Sequence, residues 1–269
     1  MAVGGMRSEV AVRVGLRDGI SYLASSYFTP PFKVADVTED RQVNELRLML
    51  MCSSPGVLDG DRTFMRVELD AHTKLRLGTQ SYQRLFRMEE GAEQVMEVRM
   101  GEGACLTWLP HPCVPHARAD YRGTNRIFMK AGCRLVWGEV LTCGRRLNGE
   151  EFLYSSYHVR TEVFIGEELA LLENVFLQPA LMPVQALGQM EGFTHQASLL
   201  CIGGDVLERK GEIEPVLSGL EGMRYGVSEG PAGSLVVRML GSKAEPLYEA
   251  LQAIAQRMTT GPINTTYAR

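Results

Sequence analysis

Apolar and polar residues alternate one by one along most of this 269-residue chain, and that alternation limits the folds open to it. A period of two puts every second side chain on one face, which is typical of strands with a single buried face. The alternation is clearest in residues 10–14, 46–50, 65–69, 75–77, 96–100 and 159–165. Clusters of Gly, Pro and Asp lie between these segments, which favours a β-sandwich, barrel or solenoid over βαβ units. We therefore predict a mainly β protein whose many short strands form one extended framework.

The last quarter of the chain changes character and holds the two predicted helices. Residues 208–220 predict a short helix that Gly211 and Pro215 interrupt near its start. Residues 224–229 and 234–240 predict a hairpin. The final helix carries four apolar residues at helical spacing on one face: Leu247, Leu251, Ile254 and Met258.

No Pro- or Ser-rich linker separates this part from the rest of the chain. We predict a single domain over residues 1–269, which is β-rich over 1–205 and contains the helices over 206–260. No sequence repeat is clear enough to select a solenoid among the three β architectures.

Charge and composition exclude several classes of partner and of protein. The chain has 28 Lys and Arg against 32 Asp and Glu, a net charge of −4, so it lacks the basic footprint of a nucleic-acid or anionic-membrane binder. Hydrophobic residues make up 45% of the chain, which excludes a disordered protein. The N-terminus has no apolar run of signal-peptide length, and the longest uncharged stretch, 174–190, is broken by prolines. We predict a cytoplasmic protein in which most of the six cysteines are buried thiols.

One short motif suggests a hydrolase. Residues 226–230 match G-x-S-x-G, in which Ser228 would be the nucleophile. A nucleophile elbow needs a strand, a sharp turn and then a helix, whereas Pro231 and Gly233 follow here, and another strand follows them. No histidine comes after Ser228, because the last one is His195. The motif therefore favours a hairpin turn, and a serine hydrolase remains an alternative.

A second motif suggests a metal. His111, Cys113 and His116 supply two imidazoles and a thiol within six residues, which suits a borderline-soft ion. The two prolines between them stiffen an extended segment, so the three side chains are free to point to different faces. The alternative is a loop with exposed histidines and a buried cysteine.

Seven stretches of the chain resemble one family, the urease accessory protein UreD, also called UreH. In chain order they are 28–33 (FTPPFK), 54–61 (SPGVLDGD), 79–82 (TQSY), 109–116 (LPHPCVPH), 143–145 (CGR) with 149–152 (GEEF), 192–195 (GFTH) and 241–247 (GSKAEPL). Each stretch is a weak signal by itself, but seven in the family's order at the family's length form a specific one.

The resemblance implies a β-rich protein with two helices and no enzymatic activity. UreD-like proteins form a complex with the accessory protein UreF, which recruits the GTPase UreG, and the assembly docks on apo-urease to help deliver nickel. An internal water-filled passage through UreD has been proposed to carry the ion. The resemblance therefore implies a maturation scaffold that holds no tight cofactor and has nickel only in transit. A serine hydrolase and a simple nickel-binding store are the alternatives.

A transported ion must be held tightly enough to enter and loosely enough to leave. Sparse carboxylates meet this demand better than a closed Cys/His cage, which would trap nickel. On that basis the resemblance points to Asp61, Glu139 and Glu173 as passage residues, ahead of the cluster of His111, Cys113 and His116. It also marks three residues as partner-binding: Arg145, Glu151 and His195.

Overall fold

The computed structural model describes residues 5–259 and confirms a mainly β protein. Its 17 described strands belong to two sheets. Sheet 1 contains β1 (Arg7–Arg17), β2 (Ile20–Phe28), β5 (Arg62–Leu69), β8 (Ala92–Met100), β11 (Asp120–Met129), β13 (Ser156–Ile165) and β14 (Glu168–Leu177). Sheet 2 contains β3 (Phe32–Asp36), β4 (Leu46–Cys52), β6 (Lys74–Thr79), β7 (Gln83–Leu85), β9 (Cys105–Leu109), β10 (Cys113–Pro115), β12 (Arg134–Thr142), β15 (His195–Ile202), β16 (Arg224–Gly230) and β17 (Ser234–Gly241).

The chain winds in a solenoid-like path between the two sheets. In sheet 1, β1, β5, β8, β11 and β13 lie side by side and parallel, and in sheet 2, β4, β6, β9 and β12 do the same. Each parallel strand therefore pairs with the strand laid down one coil earlier. Antiparallel strands complete both sheets, namely β2 and β14 in sheet 1 and β3, β15, β17 and β16 in sheet 2. The predicted framework is thus two sheets facing each other across one core.

Residues at equal depth in successive coils form rows that cross each sheet. One row of sheet 1 is entirely aliphatic and buried: Val12, Val67, Val98, Ile127 and Val163. The row that shares the core from sheet 2 is Leu48, Leu77, Trp108, Trp137 and Leu200. The two indole rings lie against each other with their centroids 5.8 Å apart and their planes tilted by 39°. This core explains the alternation in the sequence, because only every second side chain of each strand points inward and must be apolar.

The C-terminal part carries both α-helices, as predicted. The first predicted helix is broken into a 3₁₀ turn, Glu208–Glu212, and a single helical turn, α1 (Glu214–Leu217). The second, α2 (Ala244–Thr259), lies on the outer face of sheet 2. The four apolar residues predicted to share a face are each at most 1% exposed, which confirms that face: Leu247, Leu251, Ile254 and Met258.

Close packing against α2 depends on a glycine in β12. A β-carbon on Gly138 would lie 2.5 Å from Leu109 Cδ2, 3.0 Å from Leu199 Cδ1 and 3.3 Å from Leu251 Cδ1. The side chains of the sheet and the helix therefore occupy the space that any larger residue would need. Among the described residues, no helix has the length and apolar character needed to cross a membrane. Cys52 is exposed and the other five cysteines are buried, and all six are unpaired, as predicted.

Candidate functional site

One inward row of sheet 1 changes from apolar to polar as it crosses the sheet. It begins at Met65 and Met96 and continues through Asn125 of β11, Thr161 of β13 and Glu173 of β14. The facing row of sheet 2 is also polar, with Glu139 of β12, Ser198 of β15 and Arg238 of β17. The register of the two sheets therefore gathers carboxyl, amide and hydroxyl groups inside one end of the core.

Hydrogen bonds connect these two rows across the gap between the sheets. Asn125 Nδ2 donates to Thr161 Oγ1 at 2.9 Å and to Glu139 Oε1 at 3.4 Å. Trp137 Nε1 donates to the same Glu139 oxygen at 3.0 Å. None of the described residues donates to Glu139 Oε2. The Glu139 carboxyl is therefore fixed through one oxygen and keeps the other available.

Two cavities meet at this carboxyl. A cavity of about 150 Å³ extends from Glu139 to the exposed residues Gln80 and Ser81. A larger one, of about 660 Å³, extends from Glu139 to Glu173 and Arg238. Glu139 and Tyr157 are in the walls of both cavities, and we call the two adjoining cavities together the candidate passage. We call the Glu173–Arg238 end its mouth.

Glu139 has an unusual pKa for a carboxyl group. Burial raises it to about 7, the hydrogen bond from Trp137 opposes that rise, and the negative charge of Glu173 adds to it. The side chain keeps some exposed surface because it faces the two cavities. Near neutral pH the carboxyl is thus present in both its neutral and its charged forms.

Glu173 is held by an ion pair. Its Oε1 lies 2.8 Å and its Oε2 2.9 Å from Arg238 Nη2, so one guanidinium nitrogen contacts both carboxylate oxygens. The pair connects the edge strand β14 of sheet 1 to β17 of sheet 2. Glu173 therefore lies in the wall of the larger cavity, where the guanidinium group of Arg238 already contacts it.

Asp61 has a structural role at the turn before β5. Its Oδ1 accepts the Met6 N–H at 3.0 Å and its Oδ2 accepts the Leu58 N–H at 2.8 Å, so both oxygens hold backbone. The residue is not in the wall of either cavity. It lies near Cys52 of the smaller cavity, whose thiol has its pKa raised by burial and, in smaller part, by the charge of Asp61.

This arrangement gives a prediction for Asp61. Asp61→Ala leaves the Met6 and Leu58 N–H groups without their acceptor, and we expect a loss of about 1 kcal/mol in the free energy of unfolding, measured by urea titration. Glu167→Ala, in the exposed turn between β13 and β14, is the control and should change that free energy by less than about 0.5 kcal/mol. An unchanged stability of the Asp61 variant would contradict the role given to the carboxylate.

The structure does not bring His111, Cys113 and His116 together. His111 Nδ1 lies 3.2 Å from Thr79 Oγ1, and the ring of His116 packs edge-on against Phe86 with the centroids 4.8 Å apart. Cys113 lies in the wall of the smaller cavity, where burial raises the pKa of its thiol and so disfavours the thiolate that binds metals. Within residues 5–259, no group of three or more His, Cys, Asp and Glu side chains forms a metal-ligating cluster. The three side chains therefore have different surroundings, which is the outcome that the stiff, extended segment allowed.

The three residues predicted to bind partners lie around one loop. Arg145 pairs with Glu150, its Nε 2.9 Å from Oε2, and Glu151 pairs with Arg146 at 2.9 Å. His195 is only 8% exposed, and its Nδ1 lies 2.8 Å from Thr194 Oγ1. The side chains of Arg145 and Glu151 are therefore accessible to a partner, whereas the side chain of His195 is buried.

An exposed leucine occupies the tip of the same loop. Leu147 has a relative exposure of 102%, and Leu153, just after the loop, has 54%. Sequence reasoning selected the charged residues of this loop and missed the leucine.

Ser228 is not on a nucleophile elbow. It lies within strand β16, opposite Val236 of β17, and the helical turn that follows is the 3₁₀ segment Pro231–Gly233 of a hairpin. The pattern favoured in the sequence, a hairpin, is confirmed.

Sequence reasoning missed Asn125, Trp137, Tyr157 and Arg238. A signal was present for Asn125, because it interrupts an otherwise apolar inward face of β11 that includes Tyr121 and Ile127. No such signal exists for Arg238, since arginines are common on strands and its partner is distant in the chain.

Comparisons with known proteins give the class and then the family. The chain is a maturation factor of the urease accessory class, and such proteins are not enzymes. It belongs to the family of the UreD urease accessory protein, whose model matches residues 6–266.

Several relatives are similar over nearly their whole length. The chain is 40% identical to the urease accessory protein UreD of Flavobacterium johnsoniae, over 94% of this chain and 92% of the relative. It is 34% identical to UreD of Acetivibrio thermocellus, over 93% and 96%. It is 28% identical to the urease accessory protein UreH of Helicobacter pylori, over 91% and 92%. The role in urease maturation and the absence of enzymatic activity are thus confirmed.

Proposed function

We propose that the protein guides nickel ions to apo-urease through the passage at Glu139. The observation that carries the proposal is the shared wall of the two cavities, where one Glu139 carboxyl oxygen has no donor among residues 5–259. Membership of a urease accessory family supports nickel as the cargo, because nickel is the ion that urease maturation requires.

The chemistry of Glu139 suits an ion in transit. A single carboxyl offers an oxygen ligand but not the closed set of soft ligands that would hold nickel for long. With a pKa of about 7, the group loses a proton when a dication arrives and regains it when the ion leaves. A proton therefore competes with the ion for the Glu139 carboxylate, and this competition favours release of the ion.

The loop at Leu147 is the proposed contact with a partner. Its exposed leucine and the accessible side chains of Arg145 and Glu151 would meet a UreF-type accessory protein, through which a UreG-type GTPase joins, while apo-urease receives the ion. In this proposal the protein acts as a cytoplasmic scaffold between these partners and urease.

The passage is tested with Glu139→Ala in cells that make urease and the other accessory proteins but lack the native gene for this one. We expect the nickel content and activity of purified urease to fall about tenfold, because the ion loses its ligand at the junction of the cavities. Glu97→Ala is the matched control, since Glu97 pairs with Arg99 on strand β8, and its side chain belongs to neither cavity.

Both variants should be recovered in normal amounts with the UreF-type partner. Full nickel loading of urease with Glu139→Ala would defeat the passage. Tight, stoichiometric binding of nickel by the isolated protein would instead favour the nickel store.

A further inference from the structure

A positive charge lies at the mouth of the proposed passage. Arg238 belongs to the same inward row of sheet 2 as Glu139 and Ser198, and its side chain forms part of the wall of the larger cavity. A dication moving between Glu139 and the surface therefore has to pass a guanidinium group.

Glu173 is placed to cancel that charge. Both of its oxygens lie within 3 Å of Arg238 Nη2, at 2.8 and 2.9 Å. A second arginine, Arg224, is also in the wall of the larger cavity, but among the described residues it has no carboxylate within 4 Å. The mouth therefore contains two arginines, of which Arg238 is paired with a carboxylate and Arg224 is not paired with one among the described residues.

We propose that Glu173 is the counter-ion of Arg238 and not a ligand of the transported ion. The inference rests on the proposed passage and assigns a specific role within it. With Glu173 in place, the pair is neutral and Arg238 adds little to the field that an approaching dication meets. Without Glu173, an unbalanced positive charge faces the path and repels the ion. Glu173 is in these terms a positioning residue, which acts through the arginine.

A purely structural role for the ion pair makes a different prediction. If the pair only tied β14 to β17, removing either partner would break the same contact and the two single variants would behave alike. If Glu173 were a ligand, its loss would be harmful whether or not Arg238 were present. Only the counter-ion role predicts that removing Arg238 restores the nickel loading that is lost when Glu173 is removed.

The test compares Glu173→Gln, Arg238→Gln and the double variant in the urease-producing cells described above. We expect Glu173→Gln to lower the nickel content of purified urease about fivefold to tenfold, a modest effect because Arg238 is 62% exposed and partly screened. Arg238→Gln should retain at least about half of normal loading, and the double variant should match Arg238→Gln. Glu173→Gln combined with Arg224→Gln is the control and should stay as low as Glu173→Gln.

Several results would overturn the assignment. Equal losses in the two single variants would indicate a structural tie, and a double variant as poor as Glu173→Gln would indicate a ligand. Rescue by Arg224→Gln would show that any loss of positive charge suffices, and normal loading with Glu173→Gln would show that no counter-ion is needed. Thermal midpoints of the purified variants establish that each one folds.

Failure of this inference differs from failure of the passage. If Glu139→Ala lowers loading but the double variant is not rescued, the passage stands and only the role of Glu173 is wrong. If Glu139→Ala loads urease normally, the passage itself is wrong. A purified activation mixture adds one more readout, because added salt should narrow the gap between Glu173→Gln and Arg238→Gln.

Discussion

Glu139→Gln is expected to stabilise the protein at pH 8 by about 2–3 kcal/mol and to leave its stability at pH 4 nearly unchanged. Burial raises the pKa of Glu139 from 4.5 to about 7, so the folded state binds this proton more tightly than the unfolded state does. The parent protein therefore loses stability as the pH rises from about 4.5 to 7, and the loss is complete above that range. Glutamine carries no charge to desolvate, and its Oε1 can still accept from Trp137 and Asn125.

The measurement is the free energy of unfolding by urea at several pH values for the parent and the variant. The difference between them should grow across the window from 4.5 to 7 and then level off. Glu97→Gln, which changes a partly exposed carboxylate paired with Arg99, serves as the control and should show no such growth. A difference of the same size at pH 4 and pH 8 would mean that the carboxyl is not destabilised by its surroundings.

Leu251→Ala is expected to destabilise the protein by about 3–4 kcal/mol. Leu251 is 1% exposed and fills the space above Gly138, beside Leu109 and Leu199. Truncation leaves a cavity between α2 and sheet 2 that the rigid strands cannot close, so the cost exceeds that of the lost apolar contact alone.

The comparison variant for Leu251→Ala is Gln256→Ala, on the exposed face of the same helix. It should change the free energy of unfolding by less than about 0.5 kcal/mol, because alanine favours helix and little is buried there. Urea denaturation followed by circular dichroism measures both. Equal effects of the two substitutions would show that α2 does not pack through the face that contains Leu251.

Local patterns predicted the elements of the fold well. Alternation in residues 65–69 and 96–100 identified β5 and β8, because a half-buried strand needs only every second residue to be apolar. The winding of these strands between two sheets was beyond such patterns, since parallel pairing joins residues that a full coil separates. Met65 pairs with Met96, for example, and neither segment contains a local signal that predicts its pairing partner.

The candidate site was predicted in part, for a similar reason. Glu139 and Glu173 were selected as passage residues, and both lie in the wall of the larger cavity. The role of Glu173 depends on Arg238, which is 65 positions away and becomes its neighbour only when the two sheets face each other. Asp61 was selected as a passage residue, but its carboxylate binds two backbone N–H groups, a task that its turn sequence equally suits.

The stacking of coils in register has a practical consequence for labelling. Adding one residue inside a strand would turn every following side chain of that strand to the opposite face, so the coils tolerate no change of length there. Residues 37–45, between β3 and β4, lie outside this constraint, and Val43 in that segment is 54% exposed. A fluorophore attached at position 43 would report on the protein without interrupting a strand of either sheet.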